Sequence, residues 1–217
     1  MENTTTNEIT KTRKNLHIPR RLFHMSAGSG VAIIYALFLS REKAITILGI
    51  AASLVYLLEQ IRINYPKVAN KLAPFMKYLY RAEEQLKESA GVPMAMGFLL
   101  TIFTFPKLIA ITSVFTLAIS DPLSALIGIS YGKTHIVKEK SLEGSLAFLS
   151  SSFIITLLTF SIGSDFSAWR IWLMAVLTSI SVSAFEMLPI KIDDNLTIPL
   201  AMGTFLSLYC WLLGINL

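Results

Sequence analysis

The stretch LIAITSVFTLAIS, Leu108 to Ser120, runs directly into DPLSALIGISYGKTHIVKEKSLEGS, Asp121 to Ser145. The first part is an uncharged run of the kind that spans a bilayer, and it ends on an acid and a proline. An ionisable acid inside such a run costs about 2.5–3.5 kcal/mol on insertion scales, so it is a candidate functional residue by default. The glycines, lysines and serines that follow suggest phosphate and metal chemistry at a membrane surface.

The composition places the chain among the integral membrane proteins. Of its 217 residues, 53% are hydrophobic and 15% charged, with a mean hydropathy of +0.60, whereas soluble domains carry about 25% charged residues. We predict an all-α polytopic membrane bundle of about seven transmembrane helices. We expect one transmembrane domain, residues 20–217, after a polar arm, 1–19. Seven segments have the length and composition of membrane spans: 22–40, 44–62, 90–106, 108–130, 143–162, 169–188 and 196–214. The third is the weakest because prolines interrupt it.

The basic residues orient the predicted bundle. With the N-terminus in the cytoplasm, fifteen of the 19 Lys and Arg residues fall on the cytoplasmic side, as the positive-inside rule expects. Residues 63–89 interleave basic and apolar side chains and predict an interfacial amphipathic helix. The net charge of +5 then faces lipid headgroups and soluble anions, so nucleic acid is not needed to explain it. We expect a multi-pass protein of the cytoplasmic membrane or endoplasmic reticulum.

Three acids occupy similar positions in their spans. Glu59, Asp121 and Glu186 follow 15, 13 and 15 uncharged residues. At about 1.5 Å per residue, each lies roughly 20 Å from the outer face of a ~30 Å hydrocarbon core. The matched depth favours a shared polar pocket open to the cytoplasm. The alternative is that each acid caps or snorkels at a helix end.

Two further groups of polar residues are expected at the same depth in the membrane. Asp193, Asp194 and Asn195 precede the last span, and their oxygens are ligands of the type that Mg²⁺ prefers. The alternative for this trio is a helix N-cap. His24 opens the first span just after two arginines. No second His or Cys lies at zinc-ligand spacing, so zinc is disfavoured.

The glycines of the glycine-lysine segment allow two interpretations. Three residues separate Gly128 from Gly132, where a P-loop has four, so a Walker A loop is excluded. With Ser124 these glycines form a small-residue stripe that would let helices approach closely. The start of the fifth span, 140–145, leaves backbone N–H groups at a positive helix end, which is a ready phosphate site. Lys133 and Lys140 would add charge for phosphate oxygens.

The motif Asp121-x-x-x-Ala125-x-x-Gly128-x-x-x-Gly132-Lys133, followed by Lys140-Ser141-x-Glu143-Gly144-Ser145, resembles the CTP-dependent polyprenol and lipid kinases. That family includes dolichol kinase, phytol and farnesol kinases and the yeast-type diacylglycerol kinase. The resemblance spans nearly all of the chain after residue 19 through Arg20-Arg21-x-x-His24-x-x-x-Gly28, Glu59-x-x-Arg62, Glu186 and Asp193-Asp194-Asn195. The related phosphatidate cytidylyltransferases share a similar block. The chain departs from them by lacking a Gly-His-Gly-Gly segment before a closing Asp-Arg, and from many kinases by having Arg21 where Lys is usual.

The resemblance implies transfer of the γ-phosphate of CTP to a lipid alcohol at the cytoplasmic side of the membrane. The acceptor would be a polyprenol or dolichol, a phytol-type prenol, or diacylglycerol. The expected catalytic residues are Asp121, His24 and Glu59, one of which accepts the hydroxyl proton. The expected CTP-binding residues are Arg20, Arg21, Gly128, Gly132, Lys133, Lys140, Ser141, Glu143, Gly144 and Ser145. The expected ligands of Mg²⁺, or of Mn²⁺ or Ca²⁺ in its place, are Asp121, Glu186, Asp193, Asp194 and Asn195.

Three other expectations complete the sequence-based picture. A homodimer is the further partner considered, besides CTP, the lipid and the bilayer. One alternative function is a CTP:lipid-phosphate cytidylyltransferase, in which a lipid phosphate attacks the α-phosphate. The other is a small ion-coupled transporter, a class that often shows inverted repeats. The sequence shows no such repeat, and its polar residues collect on one side of the membrane.

Overall fold

The structure, a computed structural model, describes residues 18–65, 90–137 and 140–217. The polar arm up to residue 17, residues 66–89 of the predicted amphipathic segment and the side chain of Arg20 lie outside the described residues. The interfacial helix therefore stays a prediction.

The described residues form an all-α bundle with one small hairpin. Its elements in chain order are α1 (Ile18–Phe38), α2 (Arg41–Asn64), α3 (Gly91–Thr104), α4 (Lys107–Phe115), a π-helical turn that we call the π segment (Thr116–Ser120), α5 (Asp121–Tyr131), β1 (His135–Val137), β2 (Lys140–Ser141), α6 (Leu142–Gly163), α7 (Ala168–Glu186) and α8 (Asp194–Leu212). A helical run coincides with each of the seven predicted spans, which confirms the predicted fold class.

Six of these runs are long and apolar enough to cross a membrane, with α4, the π segment and α5 forming one continuous run. The third predicted span, α3, has 14 residues, fewer than the roughly 17 that a bilayer requires of an untilted helix. The run Lys107–Tyr131 lies at the centre of the bundle, because 61% of its apolar window is buried, against 17% to 39% for the other five. The acid and glycine motifs therefore sit on the innermost helix.

Consecutive membrane-spanning runs point in opposite directions and give the bundle two different ends. We call the end that carries strands β1 and β2 the hairpin end. We call the opposite end the tryptophan end, because Trp169 at the start of α7 and Trp211 at the end of α8 are both exposed there, as is Trp172. Tryptophan is enriched where a membrane meets water, so the tryptophan end marks one interface.

Two cations at the tryptophan end have a structural role that the sequence analysis did not anticipate. The Arg41 side chain donates to the carbonyl oxygens of Ile102, at 3.2 Å, and Phe103 at the end of α3. Lys107 Nζ donates to the Leu39 carbonyl just after α1, at 3.0 Å. The last carbonyls of a helix lack intrahelical partners and carry partial negative charge, so these cations satisfy and stabilise both helix ends.

Two glycines allow close contacts between helices that are distant in the sequence. A Cβ atom added at Gly97 of α3 would lie 2.3 Å from the backbone carbonyl oxygen of Asn195 in the first turn of α8. A Cβ added at Gly28 of α1 would lie 2.6 Å from Cβ of Ala118 in the π segment. Both distances are far below van der Waals contact, so a side chain at either position would push these elements apart.

We therefore expect Gly97→Ala to destabilise the fold. The carbonyl that the new methyl group meets belongs to backbone, which can relax only by shifting α8 away from α3. Overpacking of this kind costs about 1–3 kcal/mol, and thermal unfolding in detergent measures it. The matched control is Gly49→Ala in α2, where an added Cβ meets nothing within 4 Å and where Ala favours the helix. Equal melting temperatures for the two variants would contradict the close contact.

Candidate active site at the hairpin end

The π segment places Asp121 at the start of α5, in the middle of the central run. Pro122 follows Asp121 and has no N–H to donate to the carbonyl four residues earlier, so the α-helical ladder has to break at this point. The chain responds with one wider π turn, Thr116–Ser120, and continues as α5. Single π turns are frequent at functional sites. Pro122 inside an apolar run was the sequence signal for this turn, and our sequence analysis did not use it.

Lys140 links the ends of three elements at the hairpin end. It lies in β2, directly before α6, and its Nζ is 2.7 Å from Oε1 of Glu186, the last residue of α7. The same ammonium group also donates to the Glu186 backbone carbonyl. It lies 3.3 Å from Oδ2 of Asp194, the first residue of α8. A single cation thus holds the C-terminus of α7 and the N-terminus of α8 against the hairpin.

The carboxylates around Lys140 raise its pKa. Burial alone would lower the pKa of Lys140, but hydrogen bonds and charges from Glu186 and Asp194 outweigh burial and raise it above the ordinary value. Lys140 is therefore a cation at neutral pH. It was predicted to bind phosphate, and in the structure it contacts two of the acids that were predicted to bind metal.

Asp121 faces the same cluster. It lies within electrostatic range of Glu186 and Asp194, which repel its carboxylate, and of Lys140 and Arg21, which attract it. Charged residues from α1, α5, α7, α8 and the hairpin thus interact electrostatically in one region. We call Asp121, Lys140, Glu186 and Asp194 the acid–lysine cluster. Of the predicted metal ligands, Glu186 and Asp194 contact Lys140 directly, and Asp121 interacts with both of them electrostatically.

Two buried polar atoms, one in this cluster and one beside it, lack hydrogen-bond partners among the described residues. Glu186 is 7% exposed, and within the described part of the chain its Oε2 has no hydrogen-bond partner. The hydroxyl of Ser120, next to Asp121, is likewise buried without a partner among the described residues. Buried polar atoms normally have partners, so these atoms indicate a place where a polar ligand or ion would be accommodated.

The Asp-Asp-Asn trio divides into two roles. Asp193 is the N-cap of α8, and its Oδ1 accepts from the backbone N–H of Asn195 at 2.8 Å and from Asn195 Nδ2 at 2.7 Å. Asp194 points to Lys140 instead. Across residues 18–65, 90–137 and 140–217, no three His, Cys, Asp or Glu side chains stand in a metal-binding group. Metal binding by the five predicted ligands therefore remains a prediction.

Glu59 has its own partner within α2. Its carboxylate is 1% exposed and lies 2.6 Å from Nη2 of Arg62, which is one turn further along the helix and 9% exposed. Helix α2 packs chiefly against α3. The shared pocket of Glu59 with Asp121 and Glu186 stays a prediction, as does the catalytic role of half-buried His24, one turn after Arg21 on α1.

The small-residue stripe packs α5 against the start of α6. A Cβ added at Gly144 would lie 2.8 Å from the Ser124 carbonyl oxygen, and one added at Gly128 would lie 3.0 Å from Ser141 Oγ. A Cβ at Gly132 would lie 2.7 Å from that same hydroxyl oxygen. The stripe therefore lets the two helices approach closely, as the second interpretation of the glycines predicted. Roles of these glycines in CTP binding remain predictions.

Polar groups around α6 hold this region in place. Ser141 Oγ caps α6 by accepting from Gly144 N–H at 3.2 Å. The Glu143 carboxylate accepts from the backbone N–H groups of Lys133, at 3.1 Å, and Thr134, at 3.3 Å, just beyond α5. On the other side, the buried Ser183 hydroxyl of α7 donates to the Ser145 carbonyl at 3.1 Å. Sequence analysis missed Ser183, whose only signal was a serine within an apolar span.

These features define a polytopic α-helical membrane protein with an acid–lysine cluster where the ends of several helices meet. No family model matches the chain, and no solved structure matches it. An uncharacterized protein of Rickettsia prowazekii is 32% identical to it over 200 residues, which cover 89% of this chain and 95% of that protein. The chain therefore belongs to the same family as the Rickettsia protein.

Two similar proteins have a named activity. CTP-dependent diacylglycerol kinase 1 of Schizosaccharomyces pombe is 27% identical over 205 residues, which cover 90% of this chain and 94% of that kinase. The Saccharomyces cerevisiae protein of the same name is 28% identical over 132 residues, covering 60% of this chain and 46% of that kinase. At family level, these similarities support a membrane lipid kinase that uses CTP. The resemblance to dolichol and phytol kinases and to cytidylyltransferases stays a prediction.

We expect Lys140→Met to destabilise the protein, because it leaves Glu186 and Asp194 without their shared cation. Losing one partner of a buried ion pair costs about 3–5 kcal/mol. Because the Lys140 side chain is 27% exposed and that of Asp194 46%, we expect about 1–3 kcal/mol here. Thermal unfolding in detergent measures the loss, and Lys191→Met, in the exposed loop after α7, is the matched control.

The interaction also predicts a double-variant result and a pH dependence. Adding Glu186→Gln to Lys140→Met should restore part of the stability, because it removes the buried charge left without a partner.

Since the pKa of Lys140 is raised in the folded protein, the contribution of Lys140 to stability is complete below the ordinary lysine pKa. It is lost only as the pH rises through the raised pKa of the folded state. The stability difference should therefore be constant across neutral pH. A difference that disappears near neutrality would refute the ion pair.

Proposed function

We propose that the protein is a CTP-dependent lipid kinase that transfers the γ-phosphate of CTP to a lipid alcohol at the hairpin end of the bundle. Diacylglycerol is the acceptor that we favour. The observation that carries the proposal is the similarity to the diacylglycerol kinase of S. pombe, which extends over 94% of that kinase. In this proposal the hairpin end faces the cytoplasm, because the topology predicted from the sequence assigns fifteen of the 19 Lys and Arg residues to that side.

The acid–lysine cluster suits a divalent cation that is bound together with the nucleotide. Among the described residues that act on Asp121, two are carboxylates and two are cations, so the group as a whole carries excess negative charge. Mg²⁺ is commonly held by one or two carboxylates together with substrate phosphates. Asp121, Glu186 and Asp194 would hold it, and when bound it would neutralise charge on the triphosphate.

The phosphate groups of CTP would be bound by cations from α1 and from the segment after α5. Arg20 and Arg21 begin the first span, and Arg21 already acts on Asp121. The exposed side chain of Lys133 lies just beyond α5. Lys140 holds Glu186 and Asp194, so we assign it chiefly the positioning of those acids. Backbone N–H groups at the start of α6 add the partial positive charge of a helix N-terminus.

The reaction then needs positioning and charge neutralisation rather than covalent catalysis by the protein. The oxygen of the lipid hydroxyl forms a bond to the γ-phosphorus, and the bond from that phosphorus to the β–γ bridging oxygen breaks. CDP leaves with the bridging oxygen, and the lipid keeps the phosphoryl group. The hydroxyl proton passes to a base, which is Asp121, His24 or Glu59 in this proposal.

Activity is tested with purified protein, γ-labelled CTP, Mg²⁺ and separate samples of diacylglycerol, dolichol, phytol, farnesol and, as a lipid phosphate, phosphatidate. We expect the label in diacylglycerol phosphate, together with unlabelled CDP. Label in a prenol instead would support a kinase whose lipid acceptor is a prenol. Release of pyrophosphate with formation of a CDP-lipid would replace the kinase by a cytidylyltransferase, and label in no lipid would refute the proposal.

Asp121→Asn should lower the rate of transfer by about 10²–10⁴-fold, the range typical of losing a positioned catalytic group, while the protein still folds. Asp165→Asn is the matched control, because Asp165 is exposed in the loop between α6 and α7 at the tryptophan end. Initial rates at saturating CTP and lipid compare the two variants, with thermal unfolding as the check on folding. An Asp121→Asn protein that transfers phosphate at the wild-type rate would remove Asp121 from the site.

A further inference from the structure

A groove runs along the outside of the bundle between α5 and α6. It has a volume of about 410 Å³ and is lined by Leu123 and Ile127 of α5 and by Leu146, Ala147, Ser150 and Ile154 of α6. Both helices belong to apolar runs that are long enough to cross a membrane. The groove therefore opens sideways toward lipid, on a different face of α5 from the contact between Ser124 and Gly144.

The surface of the groove is chemically suited to hydrocarbon. The Ser150 hydroxyl donates to the Leu146 carbonyl at 2.8 Å, and the Ser151 hydroxyl donates to the Ala147 carbonyl at 2.7 Å. Each donor is thus satisfied within α6. Leu146 and Ile154 are about half exposed, at 52% and 53%, and form the rim. An occupant would meet mainly carbon atoms.

The dimensions of the groove fit one hydrocarbon chain. Glu143 and Ile154 mark its two ends along α6, about 16 Å apart at 1.5 Å per residue, which is close to half of a ~30 Å hydrocarbon core. A hydrocarbon chain of this length could lie between α5 and α6 along the whole groove. It would keep one side against the surrounding lipid, because Leu146 and Ile154 at the rim are about half exposed.

One end of the groove is polar. Glu143 lines it there, and the carboxylate of Glu143 accepts hydrogen bonds from the Lys133 and Thr134 backbone, in the segment that we propose binds CTP. A chain lying in the groove would have its polar end beside Glu143. It would reach from the hairpin end to about the middle of the bilayer, as a lipid of one leaflet does.

We propose that the groove between α5 and α6 binds the hydrocarbon tail of the acceptor lipid and brings its hydroxyl group to the Glu143 end. The ligand class is a lipid alcohol with at least one long hydrocarbon chain. The assignment of this lipid as the acceptor rests on the proposed kinase function. The binding of the tail itself can be tested without any phosphate transfer.

The experiment uses the full-length protein in phosphatidylcholine nanodiscs that contain diacylglycerol with a photoreactive diazirine in one tail. After illumination, peptide mapping should place adducts on residues of the groove, and unlabelled diacylglycerol should compete for them. Ser150→Leu and Ala147→Leu fill the groove. Because the tail then loses its van der Waals contacts, each should reduce the adducts and raise the KM for diacylglycerol about tenfold, with the KM for CTP unchanged.

Ser53→Leu is the matched control for Ser150→Leu. Ser53 is also an exposed serine on a membrane-spanning helix, and its hydroxyl donates to the Gly49 carbonyl four residues earlier at 2.8 Å, but it lies on α2, away from the groove. It should leave adducts and KM unchanged. Adducts that map elsewhere in the wild-type protein, or equal labelling by a diazirine phosphatidylcholine, would overturn the groove proposal. So would a dimer that Ser150→Leu dissociates.

The two proposals can fail separately. Adducts in the groove without phosphate transfer from CTP would retain the lipid site and refute the kinase. Transfer to diacylglycerol with adducts outside the groove would retain the kinase and refute this site.

Discussion

Carboxylates at one end of a membrane bundle need a cation among them, and Lys140 supplies it. Its ammonium group contacts Glu186 and Asp194, and its charge also acts on Asp121. Charges are costly to remove from water unless they are paired and hydrogen-bonded. The ends of α7 and α8, the hairpin and the start of α5 therefore come together around one residue. Removing the cation would leave acids on three helices that repel each other.

The position of Lys140 depends on the close packing of α5 against the start of α6. Gly128, Gly132 and Gly144 leave room for Ser141 between the helices, and Ser141 in turn caps α6. Lys140 is the residue directly before Ser141, so the glycine contact fixes where its side chain starts. The glycines, which resemble part of a phosphate-binding loop in the sequence, thus help to position Lys140 in the acid–lysine cluster.

If the groove binds the lipid tail as we propose, polar chemistry and lipid binding would take place on different faces of the same pair of helices. One face of α5 carries Asp121 toward α7 and α8, while Leu123 and Ile127 line the groove with α6. A nucleotide could approach the cluster from water at the hairpin end, and a lipid could enter sideways from the bilayer. That division would suit a kinase whose two substrates come from different phases. It would also bring both substrates together without opening the bundle.

Segment length, composition and motif spacing predicted the membrane class, the positions of the helical runs and the acids that are candidates for the site. Membrane spans can be recognised in the sequence because every backbone polar group in lipid needs a hydrogen-bond partner within the helix. This requirement sets the length and the composition of the segment. The close packing of Ser124, Gly128 and Gly132 was also predictable, because small residues four apart share one helix face. The prolines that interrupt the third predicted span, 90–106, also indicated a weak span at the position of the short helix α3.

Which of those residues meet depends on how the helices pack, and sequence spacing does not show it. Spacing along the chain gave Glu59, Asp121 and Glu186 similar depths, but depth does not specify which faces of which helices are neighbours. The structure pairs Glu59 with Arg62 on its own helix and brings Lys140 and Asp194 to Glu186. It also makes Asp193 a helix cap and Asp194 a partner of Lys140, although the two are adjacent. Partner choice depends on helix rotation and packing, which arise from contacts between distant parts of the chain.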